Sequence, residues 1–124
     1  MIIFILIYTI DMKKINGLIL SEHPFPDNEF VQDIIVYEQP ILCLYKSGDR
    51  VFLYYWMDTN DIMDRWVIFE TNKELLEKWR DNHYLFDIVG DYILNDEVYF
   101  VNLDKENKFV VGWKTNTEEL LSYD

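Results

Sequence analysis

The sequence predicts a single α+β domain over residues 1–124, in which an antiparallel sheet, built as a meander of hairpins, carries two or three short helices on one face. The first observation is the apolar run at residues 51–56, which is bounded by polar loops and is typical of a strand packed on both faces. The second is a pair of hairpin patterns, each with two apolar runs around a short polar loop. The third is a Thr-x-x-Glu spacing at residues 71–74 and 115–118, which marks helix starts.

The N-terminal segment, residues 1–10, is an apolar run of about half the roughly 20 residues that a membrane-spanning helix needs. It begins at Met1 without the basic residues that open a signal peptide. Two interpretations stay open for residues 1–11: a buried apolar strand, or an upstream extension of a chain that naturally begins at Met12.

The first half of the chain after this segment predicts strands. Residues 15–20 predict a short strand, and residues 21–28 predict an extended loop because its prolines cannot donate to a sheet ladder. His23 lies in this loop, where a lone histidine is usually solvated. Residues 30–37 have strand propensity. The central hairpin then joins residues 41–46 to the strand at 51–56 through a loop containing Gly48, and residues 65–69 add the third strand of the meander.

The second half begins and ends with predicted helices. Thr71 and Glu74 predict a helix that ends near Asp81, and a second short helical piece is expected at residues 84–90. Residues 97–103 and 108–113 then predict the second hairpin. After it, the repeated spacing at residues 115–118 predicts the third helix.

Charge restricts the class of partner. The chain carries 23 acidic and 11 basic side chains, a formal net charge of -12. This charge disfavours the phosphate backbone of nucleic acid and an anionic membrane surface. It suits a basic protein partner, although solubility for a chain with 17% aromatic residues is a simpler explanation.

The one cysteine, Cys43, excludes a disulfide within the chain and suits a reducing cytoplasm. Its neighbours are apolar, which predicts a buried thiol with a raised pKa rather than a nucleophile.

The surplus of Tyr and Trp on the central strands predicts a docking surface. Alternation places Phe52, Tyr54 and Trp56 on one face of their strand, and two or three short helices are too few to cover both faces of the sheet. Tyr and Trp dominate binding energy at protein interfaces. The competing interpretation is a two-sided core. The candidate protein-binding residues are Tyr45, Phe52, Tyr54, Trp56, Asp58, Asp61 and Asp64.

The aspartates of this set lie close together at residues 58–64, so a calcium-binding loop has to be considered. The segment lacks the glycine and the final Glu of an EF-hand loop, so an acidic hairpin loop is the preferred interpretation.

No catalytic, metal or cofactor pattern is present in the sequence, so we expect no cofactor and a non-enzymatic role. The leading expectation is a cytoplasmic domain that binds a basic protein, as an immunity or inhibitor protein does. A small-ligand binder or enzyme stays open, and a cleft holding Asp87, His83 or residues 58–64 together would favour it. The third alternative is a structural subunit of a homodimer or larger homo-oligomer.

Several core motifs resemble those of a small bacterial family of unknown function. They are Gln39-Pro40-Ile41-Leu42, Phe52-Leu53-Tyr54-Tyr55-Trp56, Trp66-Val67, Leu75-Leu76 and Leu85-Phe86-Asp87. The resemblance covers residues 40–91, under half of the chain. It implies the order of the elements and no activity.

Overall fold

The computed structural model describes residues 12–82 and 93–123. In this part of the chain seven strands form one antiparallel sheet, and two short helices follow the fifth and the seventh strand. The elements are β1 (Leu18–Leu20), β2 (Glu29–Tyr37), β3 (Gln39–Ser47), β4 (Arg50–Thr59), β5 (Met63–Thr71), α1 (Lys73–Asn82), β6 (Val98–Asp104), β7 (Phe109–Thr115) and α2 (Thr117–Leu121). The spatial order is β1-β7-β6-β5-β4-β3-β2.

The predicted antiparallel meander is confirmed, although strands dominate the fold more than the predicted α+β class with two or three helices suggested. Predictions for residues 1–11 and for residues 84–90, with His83 and Asp87, fall outside the described residues. Neither described helix is long and apolar enough to cross a membrane.

The central strand, β4, is packed on both faces, as its apolar run predicts. Phe52 and Tyr54 are 1% and 6% exposed on one face, and Leu53 and Tyr55 are 3% and 7% exposed on the other. The sheet therefore separates two apolar clusters, which we name the helix face and the aromatic face.

The helix face carries the larger cluster. Its buried residues include Leu42, Leu53, Tyr55, Val67, Phe69, Val98, Phe100, Trp113 and Leu120. Leu75 and Leu76 of α1 pack against this cluster, and Leu120 of α2 is part of it. Both described helices thus pack leucines on the same side of the sheet, although Leu121 of α2 is exposed.

The aromatic face is built on a smaller buried cluster: Cys43, Phe52, Tyr54, Ile68 and Val101. Its surrounding residues are mostly aromatic, namely Phe25, Tyr45, Trp66, Tyr99 and Phe109, together with Leu103. None of these comes from α1 or α2, so the cover for this face comes from elsewhere in the chain.

That cover is the loop between β1 and β2, residues 21–28. These consecutive strands lie at opposite edges of the sheet, because β1 pairs with β7 while β2 pairs with β3. Six strand spacings are about 29 Å in a flat sheet, close to the roughly 30 Å that nine extended residue steps can reach. A twisted sheet brings its edges closer than this, so full extension of the loop is not required. The loop turns at residues 25–28, where the Asn28 N–H donates to the Phe25 carbonyl at 3.2 Å. It crosses the aromatic face, where the Phe25 ring packs 4.5 Å from that of Phe52.

Both helix starts lie one residue later than the Thr-x-x-Glu spacing predicts. The Asn72 side chain accepts the Leu75 N–H at 2.9 Å, and the Asn116 side chain accepts the Glu119 N–H at 3.0 Å. Thr71 is the last residue of β5, where it pairs with Val51. Asparagine caps a helix as well as threonine does, so the ladder of β5 decides which of the two adjacent residues is used.

Arg65 is a fully buried charge on the helix face, 1% exposed. Its guanidinium donates to Asn102 Oδ1 at 2.8 Å, to the carbonyl of Lys13, and to the Tyr123 hydroxyl at 3.2 Å. That hydroxyl in turn donates to Asp58 Oδ2 at 2.8 Å, so a tyrosine links the buried cation to a carboxylate. The network ties the chain before β1 and the chain after α2 to the centre of the sheet.

Candidate functional site

A cavity of about 580 Å³ opens on the aromatic face. Its volume falls within the range of small-molecule and side-chain binding sites. Strands β2 to β6 contribute lining residues, and the crossing loop forms part of its wall. The rings around it belong to His23, Phe25, Phe30, Tyr45, Tyr54, Trp56 and Trp66. The polar side chains belong to Asn28, Asp33, Gln39, Asp64 and Asn107, and the thiol to Cys43.

Contacts between rings hold part of this lining in place. Tyr45 and Tyr54 are stacked with their ring centroids 4.0 Å apart, and Phe30 packs edge-on against Tyr45 at 5.6 Å. Trp56 and Trp66 are directly opposite each other on β4 and β5. Rings held by one another in this way present a preformed apolar surface to a ligand.

The wall made by the crossing loop is fixed by polar contacts. Asn28 Nδ2 donates to the Tyr54 hydroxyl at 3.0 Å, and His23 Nδ1 accepts the Phe25 N–H at 2.9 Å. Burial lowers the pKa of the His23 imidazole, which favours its neutral form. His23 is therefore a half-buried part of the wall and not the solvated histidine expected from the sequence.

At the β2 end of the cavity a carboxylate meets a thiol. Cys43 Sγ donates to Asp33 Oδ1 at 3.3 Å. Burial, this hydrogen bond and the charge of Asp33 raise the pKa of the Cys43 thiol to about 12. Burial and the charges of Cys43 and Asp33 also raise the pKa of Tyr45. The buried thiol predicted from the sequence is confirmed, and a thiol this weakly acidic is a poor nucleophile at neutral pH.

At the β5 end, a second carboxylate orients an indole. Asp64 Oδ1 accepts from Trp56 Nε1 at 3.2 Å, from Thr59 Oγ1 at 2.7 Å and from Lys105 Nζ at 3.2 Å. The bond to the indole fixes the plane of the Trp56 ring at the edge of the cavity. Lys105 offsets part of the charge of Asp64.

Four of the seven predicted binding residues line the cavity: Tyr45, Tyr54, Trp56 and Asp64. Phe52 lies on the same face but is buried beneath Phe25, so it supports the site without lining it.

The other two predicted acidic residues lie away from the cavity. A bulge between Trp56 and Asp58 breaks the alternation of β4, so Asp58 turns to the helix face and accepts from Tyr123. Asp61 is exposed in the turn between β4 and β5. Residues 58–64 therefore contain the hairpin turn predicted from the sequence, but the bulge and the turn separate the three aspartates, and of these only Asp64 lines the cavity.

The most important lining residues that the sequence did not reveal are His23, Phe25, Asn28, Asp33 and Trp66. Those in the crossing loop depend on the strand order, which local patterns do not encode. Trp66 could have been found, because a tight hairpin between residues 56 and 66 would place the two indoles opposite each other.

Within residues 12–82 and 93–123, no group of three or more His, Cys, Asp or Glu side chains is placed to hold a metal ion. Comparisons of the chain with protein-family models, with curated proteins and with solved structures found no match. The resemblance of residues 40–91 to a bacterial family stays a prediction.

Proposed function

We propose that this protein is a non-enzymatic binding domain whose aromatic face docks on a basic protein partner. The observation that carries the proposal is the composition of the cavity. Aromatic rings and two aspartates line it, and its described lining includes no lysine and no arginine.

The two parts of this composition have different roles in binding. Tyr and Trp rings supply most of the binding energy at protein interfaces because they bury large areas with little loss of side-chain freedom. The net charge of -12 attracts a basic partner over a longer range and raises the rate of encounter. An inhibitor or immunity protein that neutralises a basic toxin or nuclease would need this surface and no chemistry, and we propose that class.

The reactive groups of the cavity also support a binding role. The raised pKa of Cys43 keeps its thiol protonated at neutral pH. His23 Nδ1 is engaged by a backbone N–H, and neutral imidazole without a nucleophile beside it gives no acid–base pair.

The test is capture of partners from a lysate of the native host by immobilised protein, followed by mass spectrometry and by binding measurements with the purified candidate. Trp56→Ala removes a ring from the cavity, and the matched control Tyr37→Ala removes a ring that is 73% exposed on β2 and does not line it. We expect Trp56→Ala to weaken binding by about 2 kcal/mol, as for an interface hot spot. The control should bind as the native protein does.

Ionic strength provides the second readout. The affinity for a basic partner should fall as salt is raised, because screening weakens the attraction between the two surfaces. A partner that binds equally at low and high salt, or binds Trp56→Ala and native protein equally, would contradict the proposal.

A small-ligand binder is the second candidate, and the cavity volume of about 580 Å³ favours it. A screen of small molecules by thermal unfolding separates the two functions. A ligand that raises the unfolding temperature of the native protein but not of Trp56→Ala, with no protein partner captured, would support this candidate.

A further inference from the structure

The two carboxylates of the cavity are not equivalent. Asp64 contacts Lys105, Thr59 and the Trp56 indole through the same oxygen. Asp33 accepts only the Cys43 thiol among its hydrogen bonds in the described residues. A thiol is a weak and neutral donor, and Asp33 is exposed, so its charge is solvated and not paired with a cation of the described residues. None of the ion pairs among the described residues includes Asp33.

The two carboxylates are also far apart. Asp33 lies on β2 and Asp64 on β5, three strands away in the sheet. Three strand spacings amount to at least about 14 Å, which is more than one cationic side-chain group can bridge. The β2 end is therefore a separate subsite with its own charge.

The surroundings of Asp33 define which cation fits. Asp33 lines the cavity together with Phe30 and Tyr45, and its negative charge adds to burial and to the charge of Cys43 in raising the pKa of Tyr45. A guanidinium is flat, weakly hydrated and able to stack on rings while it donates to a carboxylate through two N–H groups. An ammonium is a compact and strongly hydrated charge, so it loses more hydration energy on entering an aromatic cavity.

We infer that the β2 end of the cavity binds an arginine side chain of the partner, with Asp33 as the counter-ion and the Phe30 and Tyr45 rings as its apolar wall. The inference rests on the proposed function, whose docking surface it divides into a cation subsite at β2 and an indole subsite at β4 and β5.

The test uses a defined probe, the blocked peptide acetyl-Leu-Arg-Leu-amide, in NMR titrations of the native chain at constant salt. The matched peptides replace arginine by citrulline, which has the same shape without the charge, or by lysine. We expect the arginine peptide to shift the amide signals of Phe30, Asp33 and Tyr45, the lysine peptide to bind more weakly, and the citrulline peptide to bind weakest.

Asp33→Asn removes the charge and keeps an acceptor for the Cys43 thiol. Asp49→Asn removes the same charge from the turn between β3 and β4, which does not line the cavity. The loss of one charge-assisted hydrogen bond should weaken the arginine peptide by about tenfold in Asp33→Asn, while Asp49→Asn should bind within about twofold of the native protein.

Equal binding of the arginine and citrulline peptides, equal loss in the two Asp variants, or no shift at millimolar peptide would overturn the arginine subsite. Docking on the aromatic face would survive those results if Trp56→Ala still lost the protein partner. If Trp56→Ala kept the partner while Asp33→Asn lost it, the indole subsite and with it the proposed docking surface would fail, and the inference would be reduced to binding of the arginine peptide at the β2 end.

Discussion

At the residue scale, the buried Arg65 shows how a sheet-dominated domain holds the segments before β1 and after α2. Lys13 before β1 and Tyr123 after α2 both contact its guanidinium, which also lies 5.1 Å from the centroid of the Trp113 ring. The charge is stabilised by neutral oxygens and rings, with the Asp58 carboxylate acting through Tyr123. This role could not be predicted from the sequence, because an arginine that opens a predicted strand is ordinarily solvated.

Replacing Arg65 with methionine tests the network. The variant keeps the apolar stem but leaves Asn102 Oδ1 and the Lys13 carbonyl without their donor, so we expect a loss of about 3 kcal/mol in the free energy of unfolding. Arg50→Met is the matched control, because Arg50 pairs with Glu70 at the surface and its loss should cost less than about 1 kcal/mol. Urea denaturation measures both, and equal costs would contradict a structural role for the buried guanidinium.

The raised pKa of the Cys43 thiol predicts that the folded protein loses stability at alkaline pH. Its pKa is raised to about 12 in the folded protein, so the folded state holds the proton more tightly than the unfolded chain does. The resulting stabilisation is complete below the ordinary thiol pKa of about 8.5 and is lost as the pH rises towards about 12. Tyr54, whose pKa burial also raises, adds a loss of the same sign at higher pH.

Cys43→Ser removes the titrating thiol and keeps a donor to Asp33. Between about pH 9 and about pH 11 the free energy of unfolding of the native protein should fall more steeply than that of the variant, by up to about 1.4 kcal/mol per pH unit. Urea denaturation across this range measures the difference. Parallel curves for the two proteins would show that the thiol titrates alike in the folded and unfolded states.

At the scale of elements, local patterns located the described strands well, because alternation and loop composition act over a few residues. The positions of β4 and of the hairpin β6–β7 follow directly from apolar runs and polar turns. The helix caps lie one residue later than predicted. At α1 the reason is that Thr71 belongs to the β5 ladder, so Asn72 caps the helix. The crossing loop and the bulge after Trp56 could not be predicted, because both depend on contacts between segments distant in sequence.

Substitutions of the two residues that precede α1, Thr71 and Asn72, are expected to have opposite effects on the free energy of unfolding. Asn72→Ala removes the cap and should cost about 1 kcal/mol in the free energy of unfolding. Thr71→Val should be neutral or stabilising, because the Thr71 hydroxyl is buried with no hydrogen-bond partner among the described residues. The Thr-x-x-Glu interpretation predicts the reverse order. Urea denaturation of the two variants decides between them.

At the scale of the whole molecule, the charge also bears on self-association. The edge strand β2 exposes Phe30, Val36 and Tyr37, yet it carries Glu29 and Asp33 and its register with β3 is irregular. Pairing two copies through this edge would bring like charges together, and bulges blunt an edge against pairing. We therefore expect a monomer by light scattering at physiological salt, and a dimer there would favour the structural-subunit alternative.

At this scale the sheet separates a helix face, which is core, from an aromatic face, which has its own buried cluster and carries the proposed docking surface. The excess of aromatic residues and the negative charge are visible in the composition. The alternation of the strand correctly assigned Tyr54 and Trp56 to one face. The shape of the cavity could not be predicted, because it depends on a loop that runs from one edge of the sheet to the other.

The most direct test of this division follows the tryptophan indole N–H signals in an NMR titration with a basic protein partner. Trp56 and Trp66 lie on the aromatic face, whereas Trp113 lies on the helix face beside Arg65. We predict saturable shifts of the Trp56 and Trp66 indole signals while that of Trp113 stays in place. Movement of the Trp113 signal with the Trp56 and Trp66 signals unchanged would contradict the account.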